Sequence, residues 1–261
     1  MDRISQIRFL IDRLLEDMPQ YRKGMALPED GRELRRLLRG LMNVRPPMPL
    51  TGDFLAVQDA LLSAEREEKG VVRVDSLQPA GQDERFILWQ GDITRLDADA
   101  IVNAANSQLL GCFHPCHGCI DNAIHSAAGL QLREACRRLM DEQGHEEETG
   151  QAKMTEAYNL PCRYVLHTVG PIVYAGLTSR HEAELASCYR ACLELANAHG
   201  LKSVAFCCIS TGEFRFPNAE AARIAVDTVR EHLQGPSSIQ KVIFNVFKDI
   251  DAHIYRSILA G

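Results

Sequence analysis

Six side chains that could ligate a metal lie within 14 residues of the chain. They are Cys112, His114, Cys116, His117, Cys119 and His125. Thiolate sulfur and imidazole nitrogen at such short spacing suit zinc. Three protein ligands with one open position would form a catalytic site, whereas four would close a structural site, and spacing alone does not decide between them. His125 falls inside a predicted helix, so we interpret it as a packed histidine rather than as a ligand.

Two polar stretches, each at the end of a predicted strand, carry groups suited to binding a nucleotide. In Gly91-Asp92-Ile93-Thr94, the carboxylate can accept a hydrogen bond from an adenine amino group, or it can simply cap a turn. In the second stretch, Asn103 and Asn106 offer amides that both donate to and accept from sugar hydroxyls. Two turn-forming asparagines would give the same pattern. Neither stretch is specific on its own.

A third polar stretch, residues 207–217, joins a predicted strand to a predicted helix. Such a junction offers free backbone N–H groups and the positive end of a helix dipole to an anion. Ser210 and Thr211 add hydroxyl donors, and Gly212 lets the backbone approach a ligand closely. Because it has one glycine and no lysine, the stretch is neither a P-loop nor a GxGxxG loop.

The elements that must position these stretches begin at about residue 72, where short apolar runs alternate with helical stretches. Runs rich in β-branched, aromatic and other apolar residues predict strands at 86–89, 100–103, 164–169, 203–208 and 241–246. Helical periodicity predicts helices at 120–128, 131–143, 180–199, 218–233 and 250–259. This alternation is typical of an α/β layered sandwich.

Residues 1–70 have a different texture, which predicts three helices. The first covers residues 1–18, the second covers 32–41 before a run of prolines stops it, and the third begins near Thr51 or Asp53 and ends at 68. Arginines at positions 32, 35, 36 and 39 would form either a basic face or an ordinary solvated face. We therefore predict a helical extension at 1–70 and a second domain at 71–261.

The composition narrows the class of protein. The net charge of −6 argues against a nucleic-acid partner, since such proteins usually carry a basic footprint, although a local basic patch can coexist with it. The first 18 residues lack the uninterrupted apolar run of a signal peptide, and they do not form a membrane span. Nine cysteines without a secretory signal indicate mostly reduced thiols, so we expect a cytoplasmic protein without a membrane partner.

Taken in order, the polar stretches resemble the macrodomain family of ADP-ribose-binding and ADP-ribose-processing modules, over about residues 84–261. The matching stretches are Gly91-Asp92-Ile93-Thr94, Val102-Asn103-Ala104-Ala105-Asn106, Ala123-Ile124-His125-Ser126-Ala127-Ala128-Gly129, Leu166-His167-Thr168-Val169-Gly170-Pro171 and Ile209-Ser210-Thr211-Gly212. The resemblance implies a three-layer α/β sandwich with a mixed central sheet, to which the N-terminal helical extension is added.

One departure from the family pattern is informative. Most macrodomains have a glycine-rich loop after the Asn-Ala-Ala-Asn segment, whereas this chain has residues 111–122 there, of which residues 112–119 are hereafter the Cys/His segment. This is similar to a zinc-dependent subgroup of microbial protein-ADP-ribose hydrolases, which also has an N-terminal helical extension. The subgroup pattern selects Cys112, His117 and Cys119 as ligands of Zn²⁺ and leaves His114 and Cys116 at variable positions. Such a ligand set leaves one coordination position open.

The resemblance also implies roles for other residues. Asp92 and the backbone of Ile93 would hold the adenine, and Asn103 and Asn106 would face the distal ribose. The residues that would wrap the diphosphate are Ser210, Thr211, Gly212, Glu213 and Phe214. Phe247 would pack near the adenine and proximal ribose, with Phe244 as the alternative.

The implied reaction is hydrolysis, at C1″ of the distal ribose, of the bond that joins mono-ADP-ribose to a protein side chain. The implied catalytic residues are Asn106, Cys112, His117 and Cys119, and the partners are ADP-ribose and mono-ADP-ribosylated protein. Asp121 is nearby in sequence, but it also suits the cap of a helix that opens at Asn122. The alternatives are a reader that binds without cutting, an O-acetyl-ADP-ribose deacetylase, and a structural metal beside a pocket for another nucleotide.

Overall fold

A six-stranded mixed sheet with helices on both faces forms most of the structure, a computed structural model that describes residues 1–22, 24 and 26–260. The strands are β1 (Phe86–Gln90), β2 (Ala100–Ala105), β3 (Ala152–Glu156), β4 (Tyr164–Val169), β5 (Ser203–Phe206) and β6 (Lys241–Val246). They lie in the order β1-β6-β5-β2-β4-β3, and every neighbouring pair is parallel except β4 with β3. The predicted α/β sandwich with a mixed central sheet is confirmed.

Eight α-helices are formed by the described residues. They are α1 (Arg3–Asp17), α2 (Gly31–Val44), α3 (Gly52–Lys69), α4 (Ile120–Ala128), α5 (Leu130–Gln143), α6 (Ser179–Ala198), α7 (Asn218–His232) and α8 (Asp249–Ala260). Each predicted helix is present, with ends shifted by at most three residues. None of the helices in the described ranges combines the length and apolar character that a membrane crossing requires.

The strand predictions fail in two places. Strand β3 was not predicted, because Ala152–Glu156 lies at the sheet edge and buries only Thr155 fully, so it has no continuous apolar run. The predicted strand at 203–208 ends at Phe206, and Cys207 and Cys208 belong to the loop that follows. The inner strands were found because helices cover both of their faces, so most of their side chains are apolar and buried.

The first three helices bury a core of their own. Its members, with one residue contributed by α5, are Ile7, Leu10, Ile11, Leu14, Leu15, Met18, Leu34, Leu38, Leu41, Met42, Phe54, Leu61, Leu62 and Leu130. The main core is formed by the sheet and the helices that cover it. The boundary near residue 70 stays a prediction, with α3 ending at Lys69.

Buried polar side chains join the extension to the sheet-bearing part. Gln58 of α3 is fully buried, and its Oε1 accepts a hydrogen bond from the backbone N–H of Leu130 at 3.0 Å. Arg133 of α5 donates to the backbone oxygens of Met42 and Arg45, at 2.9 and 2.5 Å. The same guanidinium donates to the backbone oxygen of Leu110 at 2.7 Å. The two parts are therefore linked through backbone groups as well as through apolar packing.

Candidate active site

The loops that follow four parallel strands leave the same edge of the sheet, because the carboxyl ends of parallel strands coincide. Strand β1 leads to Asp92, and β2 leads to Asn106 and the Cys/His segment. Strand β5 leads to Ser210, and β6 leads to Phe247. Predicted site residues that are far apart in sequence therefore share this edge.

Cys112, His117 and Cys119 are half-buried, and each offers a ligand atom within 4.8 Å of the other two. The Sγ of Cys112 lies 3.7 Å from Nδ1 of His117. A tetrahedral zinc with bonds of about 2.3 Å to sulfur and about 2.0 Å to nitrogen would hold such a pair about 3.5 Å apart. The spacing of these three residues therefore fits a zinc ion with its fourth position open.

The other three candidate ligands lie outside this group. His114 is exposed, and its ring packs edge-on against that of His117 with 5.2 Å between centroids. The Sγ of Cys116 donates to the backbone oxygen of Arg36 at 3.4 Å. His125 is 5 % exposed and packs inside the protein, as the sequence predicted.

Two helices hold the Cys/His segment in shape. Cys119 occupies the N-cap position of α4, where its Sγ accepts a hydrogen bond from the backbone N–H of Asn122 at 3.4 Å. The Asn122 amide donates to the backbone oxygen of His114 at 3.0 Å. From α2, Arg39 donates to Oδ1 of Asn122 at 2.7 Å and to the backbone oxygen of His117 at 3.3 Å. The N-terminal extension thus contacts the segment directly.

Burial raises the pKa of the Cys119 thiol to about 12, and the neighbouring thiol of Cys112 adds to the rise. The hydrogen bond from the Asn122 N–H acts in the opposite direction. A coordinating thiol is deprotonated outright, because the cation stabilises the thiolate. Binding of a cation by Cys119 would therefore release a proton.

Asn106 shapes the turn between β2 and the Cys/His segment. Its Oδ1 accepts from the backbone N–H of Gln108 at 3.1 Å, and its Nδ2 donates to the backbone oxygen of Gly111 at 3.3 Å. Gly111 has a φ of 83°, and a Cβ there would come within 2.9 Å of the His125 ring. Only glycine fits this turn without strain. The half-buried Asn106 side chain is therefore fixed close in sequence to Cys112.

The loop after β5 is closed by its own backbone. The N–H of Phe216 donates to the oxygen of Ser210 at 2.9 Å, and Oγ1 of Thr211 donates to the oxygen of Cys208 at 3.0 Å. Ser210 is 6 % exposed, has a φ of 64°, and its Oγ has no hydrogen-bond partner among the described residues. A Cβ on Gly170 would lie 2.0 Å from that Oγ, so Gly170 makes room for it. The hydroxyl is therefore held in place without an internal partner.

The same loop reaches the Cys/His segment. Oε1 of Glu213 lies 3.6 Å from Nε2 of His117, while Nδ1 of the same ring faces Cys112. Glu213 is largely exposed, so this contact has the weak energy of a surface pair. Gly212 is also exposed, whereas Phe214 is half-buried and accepts a backbone hydrogen bond from Val173 at 2.9 Å.

Asp92 begins a short 3₁₀ turn formed by Ile93–Arg95. Its Oδ1 accepts from the backbone N–H and the hydroxyl of Thr94, at 3.0 and 2.7 Å. The residue lines a cavity of about 140 Å³ whose other walls include Arg39 of α2 and Ser126 of α4. The side chain of Ile93 is buried, so the predicted contact of this residue with adenine would have to involve its backbone.

Burial separates the two phenylalanines that the sequence left as alternatives. Phe244 is 1 % exposed and packs between Phe86 and Tyr255 in the core. Phe247 is 76 % exposed and follows the end of β6. Phe244 is therefore a core residue, and Phe247 alone has a ring free to meet a ligand.

A family model, curated relatives and solved structures all match this chain. The family model described as Macro domain matches residues 102–225. The chain is 50% identical over 255 residues to a protein of Treponema medium named protein-ADP-ribose hydrolase, covering 97% of each. It is 46% identical over 263 residues to a protein of the same name from Staphylococcus aureus, covering 99% of this chain and 98% of that one. The chain belongs to the macrodomain family.

A solved structure supports the same assignment at the level of the fold. The Trypanosoma brucei macrodomain in complex with ADP-ribose superposes with a TM-score of 0.67 at 31% identity, covering 82% of this chain and 92% of that one. The matches to the two bacterial relatives extend over 97% and 99% of this macrodomain, so they include the N-terminal helices.

Behind the Cys/His segment, this macrodomain contains a buried polar network. Nδ2 of Asn103 donates to Oδ1 of Asp121 at 2.8 Å and to Nδ1 of His167 at 3.2 Å. Since Nδ1 accepts, Nε2 of His167 carries the hydrogen and donates to Oγ1 of Thr155 at 3.0 Å. Asn103 is fully buried, and its Oδ1 has no partner among the described residues. Its predicted contact with the distal ribose stays a prediction.

The interpretation of Asp121 as a helix cap is wrong. Cys119 holds the N-cap position, while Asp121 lies within α4, 5 % exposed, with its carboxylate turned toward Asn103. Burial raises the pKa of Asp121 to about 6. Sequence reasoning also missed His167 and Thr155. The signal was available in β4, where a histidine pairs in register with Asn103 of β2.

Proposed function

We propose that this macrodomain is a zinc-dependent hydrolase that removes mono-ADP-ribose from modified protein side chains. The hydrolase activity is supported by the names of relatives that are 45–50% identical over nearly the whole chain. The dependence on zinc rests on one observation, the half-buried group formed by Cys112, His117 and Cys119 with its 3.7 Å sulfur–nitrogen spacing.

The proposed substrate lies across the carboxyl ends of the parallel strands, from the cavity lined by Asp92 to the Cys/His segment. The free Oδ2 of Asp92 would accept from the adenine amino group, with the Ile93 backbone beside it. Phe247, with its exposed ring, would cover the adenine and proximal ribose. Asn103 and Asn106 would face the distal ribose, and C1″ would then lie near the proposed zinc ligands.

The diphosphate would lie on the loop from Ser210 to Phe214. The Oγ of Ser210 is buried and has no partner among the described residues, so a phosphate oxygen that reaches the loop would supply one. Thr211 and Gly212 would add their backbone N–H groups, as oriented N–H groups in such loops bind anions. Glu213 and Phe214 continue the loop toward His117, so the predicted diphosphate and metal sites adjoin.

A zinc ion held by the three residues would supply Lewis acidity, polarising a substrate oxygen or lowering the pKa of a water near C1″. The protein's own residues then have defined tasks. Asn106 positions the distal ribose relative to Cys112 and Cys119. Arg39 and Asn122 keep the Cys/His segment in the conformation that brings the ligand atoms together.

The decisive experiment measures time-dependent release of free ADP-ribose from a mono-ADP-ribosylated protein. Substrates with serine, aspartate/glutamate and arginine linkages are compared, before and after removal of zinc with a chelator and after zinc is restored. We expect turnover of at least one linkage that stops on chelation and returns with zinc. Full turnover by a protein verified to be free of zinc would refute the metal dependence.

The same assay separates the alternative functions. A reader would bind the modified protein without releasing ADP-ribose. A deacetylase would act on O-acetyl-ADP-ribose and leave the protein substrates intact. A structural metal would stabilise the fold, so chelation would lower the denaturant midpoint, whereas protein that is still folded after chelation would keep its rate.

A further inference from the structure

An open groove of about 680 Å³ between α2 and α3 is lined mainly by cationic side chains. The cations are Arg3, Arg32, Arg35, Arg36, Arg39 and Lys69. Two carboxylates, Glu65 and Glu68, and the thiol of Cys116 complete the lining. The chain as a whole has a net charge of −6, so this groove has the opposite sign to the protein that carries it.

Only two of these cations are neutralised by the carboxylates of the groove. Arg35 makes two hydrogen bonds to Glu65, at 2.6 and 2.8 Å, and Arg3 pairs with Glu68. Arg39 donates to neutral groups, the Asn122 amide and a backbone oxygen. The remaining three have exposed side chains and form no ion pair with any described residue. They are Arg32, Arg36 and Lys69. The groove therefore keeps a local excess of positive charge.

The groove adjoins both ends of the proposed substrate site. Cys116, which belongs to the Cys/His segment, forms part of its wall, and Sγ of Cys116 donates a hydrogen bond to the backbone oxygen of Arg36. At the other side it shares Arg35, Arg39, Glu65 and Lys69 with the cavity that contains Asp92. A polypeptide attached at C1″, close to the zinc ligands, would therefore begin its path beside this groove.

We propose that the groove binds an acidic segment of the ADP-ribosylated protein, next to the modified residue. This rests on the proposed hydrolase function and extends it to the choice of substrate. Arginine guanidinium groups bind carboxylates with two parallel hydrogen bonds. Arg32 and Arg36 are four residues apart on one face of α2, with Cβ atoms roughly 6 Å apart. Alternate residues of an extended peptide are separated by roughly 6.6 Å, so two such carboxylates would match the pair.

A short acidic peptide fits the groove better than a nucleic acid does. Glu65 and Glu68 stand in the lining and would repel a continuous chain of phosphates. The overall negative charge of the protein opposes a polyanion in the same way. Isolated carboxylates can instead contact Arg32 and Arg36 and avoid these two glutamates.

The test uses two synthetic peptides of equal length that carry mono-ADP-ribose in the linkage the enzyme cleaves. One has Asp and Glu flanking the modified residue, and the other has Asn and Gln. In the zinc-loaded protein, we expect kcat/KM to favour the acidic peptide by about tenfold at low salt, with the preference fading at high salt. The double variant Arg32→Gln/Arg36→Gln should bring the ratio close to one. The double variant Arg190→Gln/Arg256→Gln, on helices α6 and α8 outside the groove, should keep it.

Binding of the same peptides, measured by calorimetry with chelated protein, keeps this test independent of catalysis. If neither peptide is hydrolysed but the acidic one binds more tightly through Arg32 and Arg36, the hydrolase proposal fails and the groove proposal stands. Equal affinity and equal kcat/KM for both peptides in the unmodified protein would overturn the groove proposal. So would stronger competition from a single-stranded oligonucleotide than from an acidic peptide of equal charge.

Discussion

The side-chain oxygen of Asn43 accepts a hydrogen bond of 2.9 Å from the backbone N–H of Cys116. Asn43 lies in α2 and is 2 % exposed, and its Nδ2 donates to Oγ of Ser126 in α4 at 3.0 Å. Cys116 has a φ of 53°, a left-handed conformation that is uncommon for a residue with a side chain. One buried amide of the extension therefore stabilises an unfavourable backbone conformation within the Cys/His segment.

Replacing Asn43 should weaken both the fold and the affinity for zinc. In Asn43→Ala, the N–H of Cys116 loses its partner and the hydroxyl of Ser126 loses its donor, at a cost of about 1–3 kcal/mol in the free energy of unfolding. We expect a lower denaturant midpoint and weaker zinc binding in a chelator competition titration. Asn197→Ala is the matched control, since Asn197 also accepts from a backbone N–H, that of Ser238, in another part of the structure. It should lower stability without changing zinc affinity, and the same zinc affinity in both variants would contradict the role of Asn43.

Serine in place of Cys119 should remove the metal without removing the helix cap. Serine is a favoured N-cap residue, so Cys119→Ser keeps an acceptor for the N–H of Asn122 but loses the thiolate. We expect less than one zinc per chain by elemental analysis and a rate of ADP-ribose release lower by about a hundredfold or more, while the Kd for ADP-ribose changes little. Cys116→Ser, three positions earlier, should keep the zinc. If both variants bind zinc equally well, the ligand assignment is wrong.

Asp92→Ala should weaken ADP-ribose binding by about tenfold to a hundredfold, because a hydrogen bond to a charged acceptor contributes about 1.5–3 kcal/mol. Isothermal calorimetry with free ADP-ribose measures this directly. Asp92 also accepts a hydrogen bond from a backbone N–H, so the control variant must lose a comparable hydrogen bond elsewhere. Asp97 accepts from the backbone N–H of Val74 at 2.7 Å and does not line the Asp92 cavity, so Asp97→Ala should bind ADP-ribose normally. Unchanged affinity in Asp92→Ala would refute the adenine contact.

Acid should destabilise the protein partly through His167. Burial lowers the pKa of His167 to about 3. The titratable side chains that face its ring are His125 and Cys136. Asp121 is linked to the ring indirectly, because the Asn103 amide donates to both. As the pH falls below about 6.5, His167 binds a proton in the unfolded chain but stays neutral in the folded chain. The free energy of unfolding therefore falls by about 1.4 kcal/mol per pH unit because of this residue. In His167→Gln, the free energy of unfolding from urea titrations should depend less steeply on pH between 6.5 and 5. An unchanged slope would contradict this account.

Much of the sheet could be predicted because its inner strands are buried on both faces. Such strands are rich in apolar residues, and Val242 to Val246 in β6 or Val165 to Val169 in β4 stand out in the sequence for that reason. The edge strand β3 was not predicted because its Ala-Lys-Met-Thr-Glu sequence is only partly buried and has no continuous apolar run. Edge strands carry weaker patterns wherever solvent covers one side.

The candidate site was predictable where function depends on residue type and order, and unpredictable where it depends on distant contacts. The group formed by Cys112, His117 and Cys119 is local in sequence. Arg39 donates to His117 and Asn122, which lie 78 and 83 residues further along the chain, and no periodicity in the sequence predicts such a contact. The choice between Phe244 and Phe247 needed burial, since the two aromatics are only three residues apart.

The hydrogen bonds of Arg133 restrict which substitutions preserve the contact between the N-terminal extension and the sheet-bearing part. Its guanidinium donates hydrogen bonds to the main-chain oxygens of residues 42, 45 and 110, and not to their side chains. Every amino acid supplies the same carbonyl group, so substitutions at these three positions leave the acceptors of Arg133 in place, although burial still constrains the side chains of Met42 and Arg45. The arginine has no such latitude, because lysine lacks the fork that reaches several acceptors at once. The link between the extension and the sheet-bearing part therefore depends on the identity of Arg133 more than on the side chains at the three positions that it contacts.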